Sequence, residues 1–312
     1  MRPDTTLDFS ASVRQALDRQ APIVALESSV LAQGLPIPAN AEAARRMVDA
    51  VVRQGAVPAI AAISRGRPTI GLDGDDLQRF LRREGVRKVS SRDLGAAMAQ
   101  GADGATTVAA TLVLARLAKI QIFATGGIGG VHRRSRREQA QNAQVRDESA
   151  DLIELARSRL IVVCAGAKSI LDLAATWERL ETLSIPVIGY RTSELPGFFT
   201  AETGIHLSVR CDTAIEIARI ACNHWSLGNR ESVLVVQAPP PTSAVPRTDL
   251  EGAIAEALID AEQKKIEGPA MTPFLLEAVS RLTNRRSLDV NLALLENNAA
   301  LAGDIACALA VQ

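Results

Sequence analysis

Six short apolar runs alternate along the chain with stretches whose apolar residues recur at helical spacing. Each run is rich in Val, Ile or Ala and is apolar at consecutive positions, as in strands that are covered on both faces. The runs lie at 22–27, 59–64, 120–125, 160–165, 186–190 and 233–238. This alternation predicts an α/β fold with a mostly parallel central sheet flanked by helices.

The helical stretches between the runs lie at 40–54, 106–118, 149–157, 170–180 and 213–226. After the last run comes QAPPPTSAVPRTD, which is too rich in proline to continue a central strand. Further helical stretches follow at 250–265, 273–283 and 287–309. We expect this C-terminal helical segment, from about residue 248 to residue 312, to pack on the same domain and not to form an independent one. The chain is therefore predicted to form a single domain over 1–312.

Charge and composition narrow the class of partner. The 35 basic residues balance the 35 acidic ones, so no long-range attraction to nucleic acid or to an anionic membrane is expected. The chain has only nine Phe, Trp and Tyr residues, which leaves few rings on which bases could stack. We expect a small-molecule substrate, with neither nucleic acid nor membrane as a partner.

The cysteines and the N-terminal residues bear on the compartment. Four cysteines lie far apart without CxxC spacing, which argues against both a zinc site and a disulfide framework. The first residues, MRPDTTLDFSASVRQ, lack the apolar segment of a signal peptide, and no later apolar run reaches about 18 residues. A cytoplasmic, soluble protein is expected.

In open α/β sheets, ligands bind beyond the carboxyl ends of the strands, so the loops after the apolar runs are the places to look for chemistry. Four loops are polar or rich in glycine: Glu27-Ser28-Ser29, Ser90 to Asp93, Gly126 to His132, and Gly166 to Ser169. GAKS lacks the glycines of a phosphate-binding GxxxxGK[ST] loop, and GGIGG lacks the third glycine of GxGxxG. The glycine loop is either a tight turn or a backbone that approaches a phosphate closely.

Lys168 follows the run LIVVCA, where a buried strand should give way to a helix. A lysine at the start of a helix is usually a solvated surface residue, and the positive end of the helix dipole disfavours its charge. The same placement beside apolar strand ends favours a neutral amine, which can attack a carbonyl-level carbon. Solvated, ion-paired and nucleophilic roles all stay open on local sequence.

Acidic and basic residues in these loops each allow two interpretations. Glu27, at the end of the strand IVALE, is suited to act as a general acid or to form a cap or salt bridge. Asp147, Ser149 and Asp151 have the spacing of a helix cap with first-turn acids, and also that of an Mg²⁺ or Mn²⁺ site; capping is favoured. The run RRSRR at 133–137 is an anion patch or, as favoured here, simply solvated.

Taken together, these loops resemble the pseudouridine-5′-phosphate glycosidases, a family that includes the indigoidine-cluster A proteins. The resemblance runs in order through almost the whole chain and is far more specific than any single motif. The matching stretches are VALESSVLAQGLPIPANAEAA, GAVPAIAAI, KVSSRDL, GATTVAATLVLA, IFATGGIGGVHR, ESADLIELA, VVCAGAKSILDLAATWERLET, PVIGY, TPFLLEAVSRLT and SLDVNLALLENNAALAGDIA.

The resemblance implies reversible cleavage of pseudouridine 5′-phosphate to uracil and ribose 5-phosphate by a homotrimer with a divalent metal, expected to be Mn²⁺ or else Mg²⁺. It implies that Lys168 is the nucleophile at C1′, that Glu27 is the proton donor and that Asp147 binds the metal. The glycine loop is expected to place the phosphate through Gly127, Gly129 and Gly130. The other implied substrate-binding residues are Lys88, Val108, Ser149, Ala150, Asp151 and Asn291.

Some positions depart from the family pattern near the expected pocket. Gln33 stands where the family usually has His, and Ala238 and Thr242 replace polar or acidic residues. The stretch 133–146 is also longer than usual and rich in arginine, with no role that the sequence assigns. The base, the direction of flux and the metal used in the cell therefore stay open. Two alternatives remain: a synthase that joins ribose 5-phosphate to a different ring, and a non-catalytic sensor of sugar phosphates.

Overall fold

The computed structural model describes residues 7–133, 147–266, 271–283 and 286–312. Its strands form one 11-stranded sheet. The strands are β1 Asp8–Phe9, β2 Ile23–Glu27, β3 Val57–Ser64, β4 Arg67–Ile70, β5 Arg87–Val89, β6 Gly104–Thr106, β7 Ile122–Ala124, β8 Ile161–Cys164, β9 Val187–Tyr190, β10 Arg210–Cys211 and β11 Val233–Val236.

Helices connect the strands and complete the chain. In the described residues they are α1 Ala11–Asp18, α2 Ala39–Arg53, α3 Gly74–Arg82, α4 Leu94–Ala99, α5 Val108–Leu117, α6 Ala150–Leu155, α7 Leu173–Thr182, α8 Ala214–Ser226, α9 Arg247–Gln263, α10 Met271–Leu282 and α11 Arg286–Leu309. A π-helical turn, Val30–Gly34, follows β2, and a 3₁₀ turn, Ser91–Asp93, precedes α4.

The sheet is mostly parallel, as the sequence predicts. Its order is β1-β4-β3-β2-β7-β8-β11-β9-β10, and the antiparallel pairs are β3 with β4 and β3 with β6. Every residue of β2, β7, β8 and β11 is buried. Because side chains alternate between the two faces of a strand, helices must cover both faces here. The predicted α/β architecture is confirmed.

The direction of the connections reverses between β2 and β7. From β2 the chain proceeds to its neighbour β3 on one side, whereas from β7 it proceeds to its neighbour β8 on the other side. Such a switch point leaves a crevice outside the carboxyl ends of the two central strands, and ligands of open α/β proteins bind there. Glu27 ends β2 and Thr125 directly follows β7, so both lie at this crevice.

The pairing of β3 explains why β2 stops at Glu27. Ala61 pairs with Glu27 on one side and with Ile70 of β4 on the other, whereas Ala62 pairs with Ala105 of β6. Strand β6 therefore takes the place of β2 along β3 and runs in the opposite direction. Strand β5 pairs with β6, which brings Lys88 level with Ala105. The end of β2 and the β5–β6 pair thus meet beside the crevice.

The last helix, α11, lies within the core. It packs against α2, α8 and the strands β2, β7 and β8. By length and apolar composition alone it could cross a membrane, but 61% of its apolar stretch is buried inside the protein. Burial of this kind identifies the core helix of a folded domain. Helix α10 packs against both α9 and α11, which joins the C-terminal helices to the same domain.

Candidate active site

The loops after β7 and β8 are joined to each other by backbone hydrogen bonds. The amide of Ile128 donates to the carbonyl of Gly166 at 3.1 Å, and the amide of Lys168 donates to the carbonyl of Ile128 at 3.1 Å. Gly166 has a φ of +85°, and a Cβ there would collide with Pro196. Because only glycine fits this position without strain, the turn that presents Lys168 depends on it.

Glu27 is buried, with 6% of its surface exposed, and hydroxyl groups hold both of its carboxylate oxygens. The hydroxyl of Thr125 donates to Oε1, and that of Ser29 donates to Oε2 at 2.5 Å. One donor therefore comes from the neighbouring strand β7 and the other from the exit of β2 itself. A carboxylate with two donors is fixed in direction as well as in position.

The pKa of Lys88 depends on the charges of the other predicted site residues. Loss of hydration lowers the pKa of Lys88, and repulsion by Lys168 lowers it further, whereas attraction to Asp151 and Glu27 opposes the shift. The residue as a whole stays exposed, so screening by water limits the size of this effect. Lys168 of the loop after β8, Asp151 of α6 and Glu27 of β2 are thus all close enough to Lys88 of β5 to influence its charge. The sequence predicted all four as site residues.

Asp151 ties the glycine loop to the start of α5. Its Oδ1 accepts from the amide of Ala109 at 2.9 Å, and its Oδ2 accepts from the amide of Gly129 at 2.8 Å. Ser149 caps α6, because its hydroxyl accepts from the amide of Asp151. The capping interpretation is thus confirmed for Ser149. Val108 is 1% exposed as a whole residue, so its contact with a substrate stays a prediction.

The glycine loop is buried and tightly packed. A Cβ on Gly127 would lie 2.8 Å from Phe198 Cε2, and a Cβ on Gly130 would lie 2.6 Å from Thr176 Cγ2. The amide of Gly129 already serves Asp151. Close packing therefore accounts for these glycines, and their contact with a phosphate stays a prediction.

Asp147 lies at the surface of the site. Its side chain is 69% exposed, and its Oδ2 is 4.0 Å from Nε2 of His132. Among the described residues, no group of three or more His, Cys, Asp or Glu side chains is placed to hold a metal. A single accessible carboxylate nevertheless suits a divalent ion that takes its remaining oxygen ligands from water and a substrate phosphate. The donor set fits Mg²⁺ or Mn²⁺ in that form.

Asn291 lies beyond the carboxyl end of the sheet. Asn298 of the same helix donates to the carbonyls of Thr125 at 2.8 Å and Gly126 at 3.3 Å. Seven residues correspond to about two turns, or about 10 Å along the axis, so Asn291 projects on the same face above the crevice. It is 7% exposed, and its Oδ1 has no hydrogen-bond partner among the described residues. A buried carbonyl oxygen without a partner is available to accept a hydrogen bond from a ligand.

Of the positions that depart from the family pattern, only Gln33 has a hydrogen bond near a predicted site residue. Gln33 donates to the carbonyl of Val86 at 3.3 Å, two residues before Lys88, and its buried Oε1 has no partner in the described part of the chain. Ala238 is half-buried and Thr242 is exposed, both after β11. The structure assigns neither of these two a contact with the four charged residues.

Arg133 begins the arginine-rich stretch and is the part of it that the structure describes. Its guanidinium forms two hydrogen bonds with Glu251, at 2.7 and 2.9 Å, and also donates to the carbonyls of Ser169 and Leu171. The solvated interpretation is therefore wrong for Arg133, since a bidentate pair anchors it to α9. Residues 134–146 lie outside the described residues.

A cavity of about 610 Å³ opens beside the Lys168 loop. Its walls include Arg133, Ser169, Thr200, Arg247 and Glu251, but not Lys168, Glu27 or Lys88. Size alone therefore does not identify the active site. We place the site at the switch point, where the chemically competent side chains converge.

Sequence reasoning missed two residues that shape this site. Thr125 holds Glu27, and Asn298 holds the backbone of Thr125. Thr125 is the last residue of the predicted run 120–125, so a polar side chain at a strand end was a usable signal. Nothing in the local sequence of Asn298 distinguishes it from a surface asparagine on a helix.

Comparisons with known proteins identify the family of the chain. The family model described as indigoidine synthase A like protein matches residues 12–308. A pseudouridine-5′-phosphate glycosidase of Gemmatimonas aurantiaca is 58% identical over 309 residues, covering 99% of this chain and 97% of the relative. The enzyme of that name from Dickeya dadantii is 46% identical over 302 residues, covering 97% and 93%.

Two solved structures share the fold over nearly their full length. The prealnumycin C-glycosynthase AlnA, in complex with ribulose 5-phosphate, gives a TM-score of 0.88 at 38% identity and covers 99% of this chain and 98% of its own. An indigoidine synthase A-like protein from Thermotoga maritima gives 0.87 at 33% identity, covering 98% and 97%. The family predicted from the sequence is confirmed: the chain belongs to the indigoidine synthase A-like family of pseudouridine-5′-phosphate glycosidases.

Proposed function

We propose that the protein reversibly cleaves the C–C glycosidic bond of pseudouridine 5′-phosphate to give uracil and ribose 5-phosphate. The observation that carries this proposal is that Glu27 ends β2 and Lys168 follows β8, the two neighbours of β7, and that both are hydrogen-bonded to the segment after β7. A nucleophilic amine and a buried acid are the two groups that opening a pentose ring requires. The names of the similar enzymes agree with this activity.

The chemistry gives Lys168 a role that an ordinary glycosidase residue cannot fill. A carbon-bound base is a poor leaving group, so protonation alone does not release it. In the proposed route the neutral amine of Lys168 bonds to C1′ while the ring oxygen leaves C1′ and takes a proton from Glu27. The adduct nitrogen returns a proton to the Glu27 carboxylate, and its lone pair then expels the base carbon, which takes up a proton as uracil. Water hydrolyses the resulting imine and releases ribose 5-phosphate and the free lysine.

The remaining predicted residues would bind and orient the substrate. Lys88 supplies positive charge for the phosphate, and Asn291 presents an unpaired carbonyl oxygen above the crevice. Asp147 would hold the divalent metal, proposed to be Mn²⁺ or Mg²⁺, which when bound neutralises phosphate charge. Correct placement of both reacting groups is itself worth several orders of magnitude in rate.

Trapping with borohydride tests the nucleophile directly. Purified protein is incubated with Mn²⁺ and ribose 5-phosphate, reduced with borohydride and mapped by peptide mass spectrometry. We expect a stable pentose phosphate adduct on the peptide that contains Lys168. Lys168→Arg keeps the positive charge but removes the nucleophile, so it should lose both the adduct and uracil release. Activity should fall by about 10³-fold or more.

Two outcomes would contradict the proposal in different ways. An adduct on Lys88, the neighbouring amine, would retain the chemistry and reassign the nucleophile. The complete absence of an adduct, together with no uracil release from pseudouridine 5′-phosphate, would favour the sensor of sugar phosphates.

A second candidate is synthesis of a different C-glycoside. The structural similarity to a C-glycosynthase and the unpaired Oε1 of Gln33 support it, since an acceptor of this kind could recognise a different ring. Competition among several carbocyclic and heterocyclic nucleophiles with ribose 5-phosphate separates the two functions. Preference for uracil would exclude the synthase.

We further propose that the enzyme acts in the cytoplasm as a homotrimer. Its similarity to named glycosidases supports an intracellular role in nucleotide chemistry. Light scattering after gel filtration tests the assembly, and the mass of one or two chains would contradict it.

A further inference from the structure

The carboxylate of Glu27 is held by two hydroxyl groups whose surroundings differ. Thr125, which donates to Oε1, is 1% exposed, whereas Ser29, which donates to Oε2, is half-buried at the start of the π-helical turn. One side of the carboxylate therefore faces the interior and the other faces the crevice. The two hydroxyls therefore hold the carboxylate from opposite sides, Thr125 from the interior and Ser29 from the crevice.

Thr125 is itself locked in place by a chain of hydrogen bonds. Its amide donates to the carbonyl of Val163 at 3.0 Å, and its carbonyl accepts from Asn298 Nδ2 at 2.8 Å. Asn298 Oδ1 in turn accepts from Gln237 Nε2 at 2.9 Å. Backbone and side-chain contacts from β8, α11 and the end of β11 thus prevent Thr125 from turning away. Its hydroxyl is a fixed donor to Glu27.

We infer that Thr125 and Ser29 are positioning residues that fix the direction of the Glu27 carboxyl, Thr125 from the interior and Ser29 from the crevice. A hydroxyl donates one hydrogen and accepts others, so each can serve the charged and the protonated carboxyl by rotating its hydrogen alone. Hydrogen bonds donated to a carboxylate favour its charged form. The inference deepens the proposed function and rests on it, because Glu27 is the proton donor there.

The charged groups around this carboxyl must be considered as well. Lys88 of β5 interacts with Glu27, and it also interacts with Lys168 of the loop after β8 and with Asp151 of α6. All three stay in place when a hydroxyl of Thr125 or Ser29 is removed. A change in pH dependence caused by such a substitution would therefore come from the lost hydrogen bond.

The test compares kcat, KM and the pH profile of kcat for the wild type and matched pairs of variants. Thr125→Val keeps the shape of the side chain and removes the hydroxyl, and Ser29→Ala removes the hydroxyl at the crevice. We expect kcat to fall about tenfold or more, with KM for pseudouridine 5′-phosphate within about twofold of the wild-type value. The basic limb of the profile should move to higher pH, because Glu27 acts in its protonated form and the charged carboxylate has lost a donor.

Conservative variants and a neighbouring serine serve as controls. Thr125→Ser and Ser29→Thr keep the hydroxyl and should restore both kcat and the pH profile. Ser28 lies between Glu27 and Ser29, and its hydroxyl donates to the carbonyl of Ala61 at 2.7 Å instead of to Glu27. Ser28→Ala should therefore lower the melting temperature and leave the pH profile unchanged.

The outcomes separate this inference from the function on which it rests. A wild type that releases no uracil overturns the proposed function and, with it, the inference. An active wild type whose Thr125→Val and Ser29→Ala variants keep kcat and the pH profile overturns the inference alone. Ser29 is half-buried and its substitution leaves the core intact, so the test stands even where Thr125→Val fails to fold.

Discussion

The protonation of Lys88 illustrates how neighbouring side chains determine the properties of a single group. Loss of hydration and the charge of Lys168 together outweigh the attraction of Asp151 and Glu27, so the pKa of Lys88 is lowered. A lysine with a lowered pKa binds its proton less tightly in the folded protein than in the unfolded chain. Its positive charge therefore destabilises the folded state at neutral pH. This destabilisation disappears as the pH rises through the pKa of Lys88 in the folded protein towards the usual pKa of lysine.

We predict that Lys88→Met raises the melting temperature at pH 7, because it removes a charge that destabilises the folded state. The same substitution should abolish activity. The gain should shrink as the pH rises towards 10, since wild-type Lys88 then becomes neutral too. Arg87→Gln, on the same strand and also exposed, is the control and should show no gain of this kind. Calorimetry from pH 6 to 10 measures the difference, and a lower melting temperature for Lys88→Met at pH 7 would contradict the sign.

Gly129 is predicted to tolerate no side chain. A Cβ there would lie 2.6 Å from Ser149 Cβ and 2.8 Å from Asp151 Oδ2, and would displace the group that joins the glycine loop to α5. We expect Gly129→Ala to lower the free energy of unfolding by about 2 kcal/mol and to reduce activity sharply. Gly95→Ala is the control: no atom lies within 4 Å of its Cβ position, and it should be neutral or stabilising by up to about 1 kcal/mol. Urea unfolding compares the two, and equal stabilities would contradict the packing argument.

Residues with a distinctive local setting could be predicted from the sequence. Lys168 and Glu27 were found because each is a charged residue at the end of an apolar run, and the order of strands then brought them together. Asn298 could not be found, because its partners are carbonyls 172 and 173 positions away in the chain. Contacts of that kind depend on where a helix lies across the sheet, which local patterns do not specify.

The strands, like the site residues, divide into those that the sequence predicts and those that it does not. All six predicted runs are strands, since consecutive apolar residues are needed where a strand is buried on both faces. Strands β1, β4, β5, β6 and β10 were not predicted. They are two to four residues long, and β4 contains Pro68 while β5 begins Arg87-Lys88, so they lack the apolar pattern. Pairing with a neighbouring strand stabilises them instead.

Helix α11 contains two buried asparagines, Asn298 and Asn291, whose substitution should affect stability differently. Asn298→Leu would leave Gln237 and the carbonyls of Thr125 and Gly126 without their side-chain partner. We expect it to lower the free energy of unfolding by about 3 kcal/mol, because buried polar groups without partners are costly. Activity should fall as well, since Thr125 is no longer held. Chemical denaturation gives the first quantity and uracil release the second.

Asn291→Leu, two turns away on the same face, is the matched variant. Its Oδ1 has no partner in the described residues, so its replacement by an apolar side chain leaves no group stranded. Stability should be unchanged or higher, whereas activity should be lost if this oxygen binds the substrate. Equal destabilisation by both substitutions would show that hydrogen bonding does not distinguish the two positions.

At the scale of the whole molecule, α11 connects the two halves of the sheet. It packs against α2, which precedes β3, and against α8, which precedes β11. Glu296 of α11 forms a salt bridge with Arg53 at 2.8 Å, and Cys307 donates through sulfur to the carbonyl of Gln54 at 3.2 Å. Sheet and helix are thus shared by both halves, which supports the predicted single domain.

A single domain should unfold in one cooperative step, and the tryptophans allow a direct test. Trp177 and Trp225 lie on α7 and α8, both between β8 and β11, so fluorescence reports only that half of the sheet. Far-UV circular dichroism reports the helices of the whole chain. Because β7 pairs with β8 and α11 covers both, the two halves cannot separate without exposing the core. We therefore expect the two unfolding curves to coincide in urea. A fluorescence transition at a different midpoint would instead divide the chain into two domains near β8.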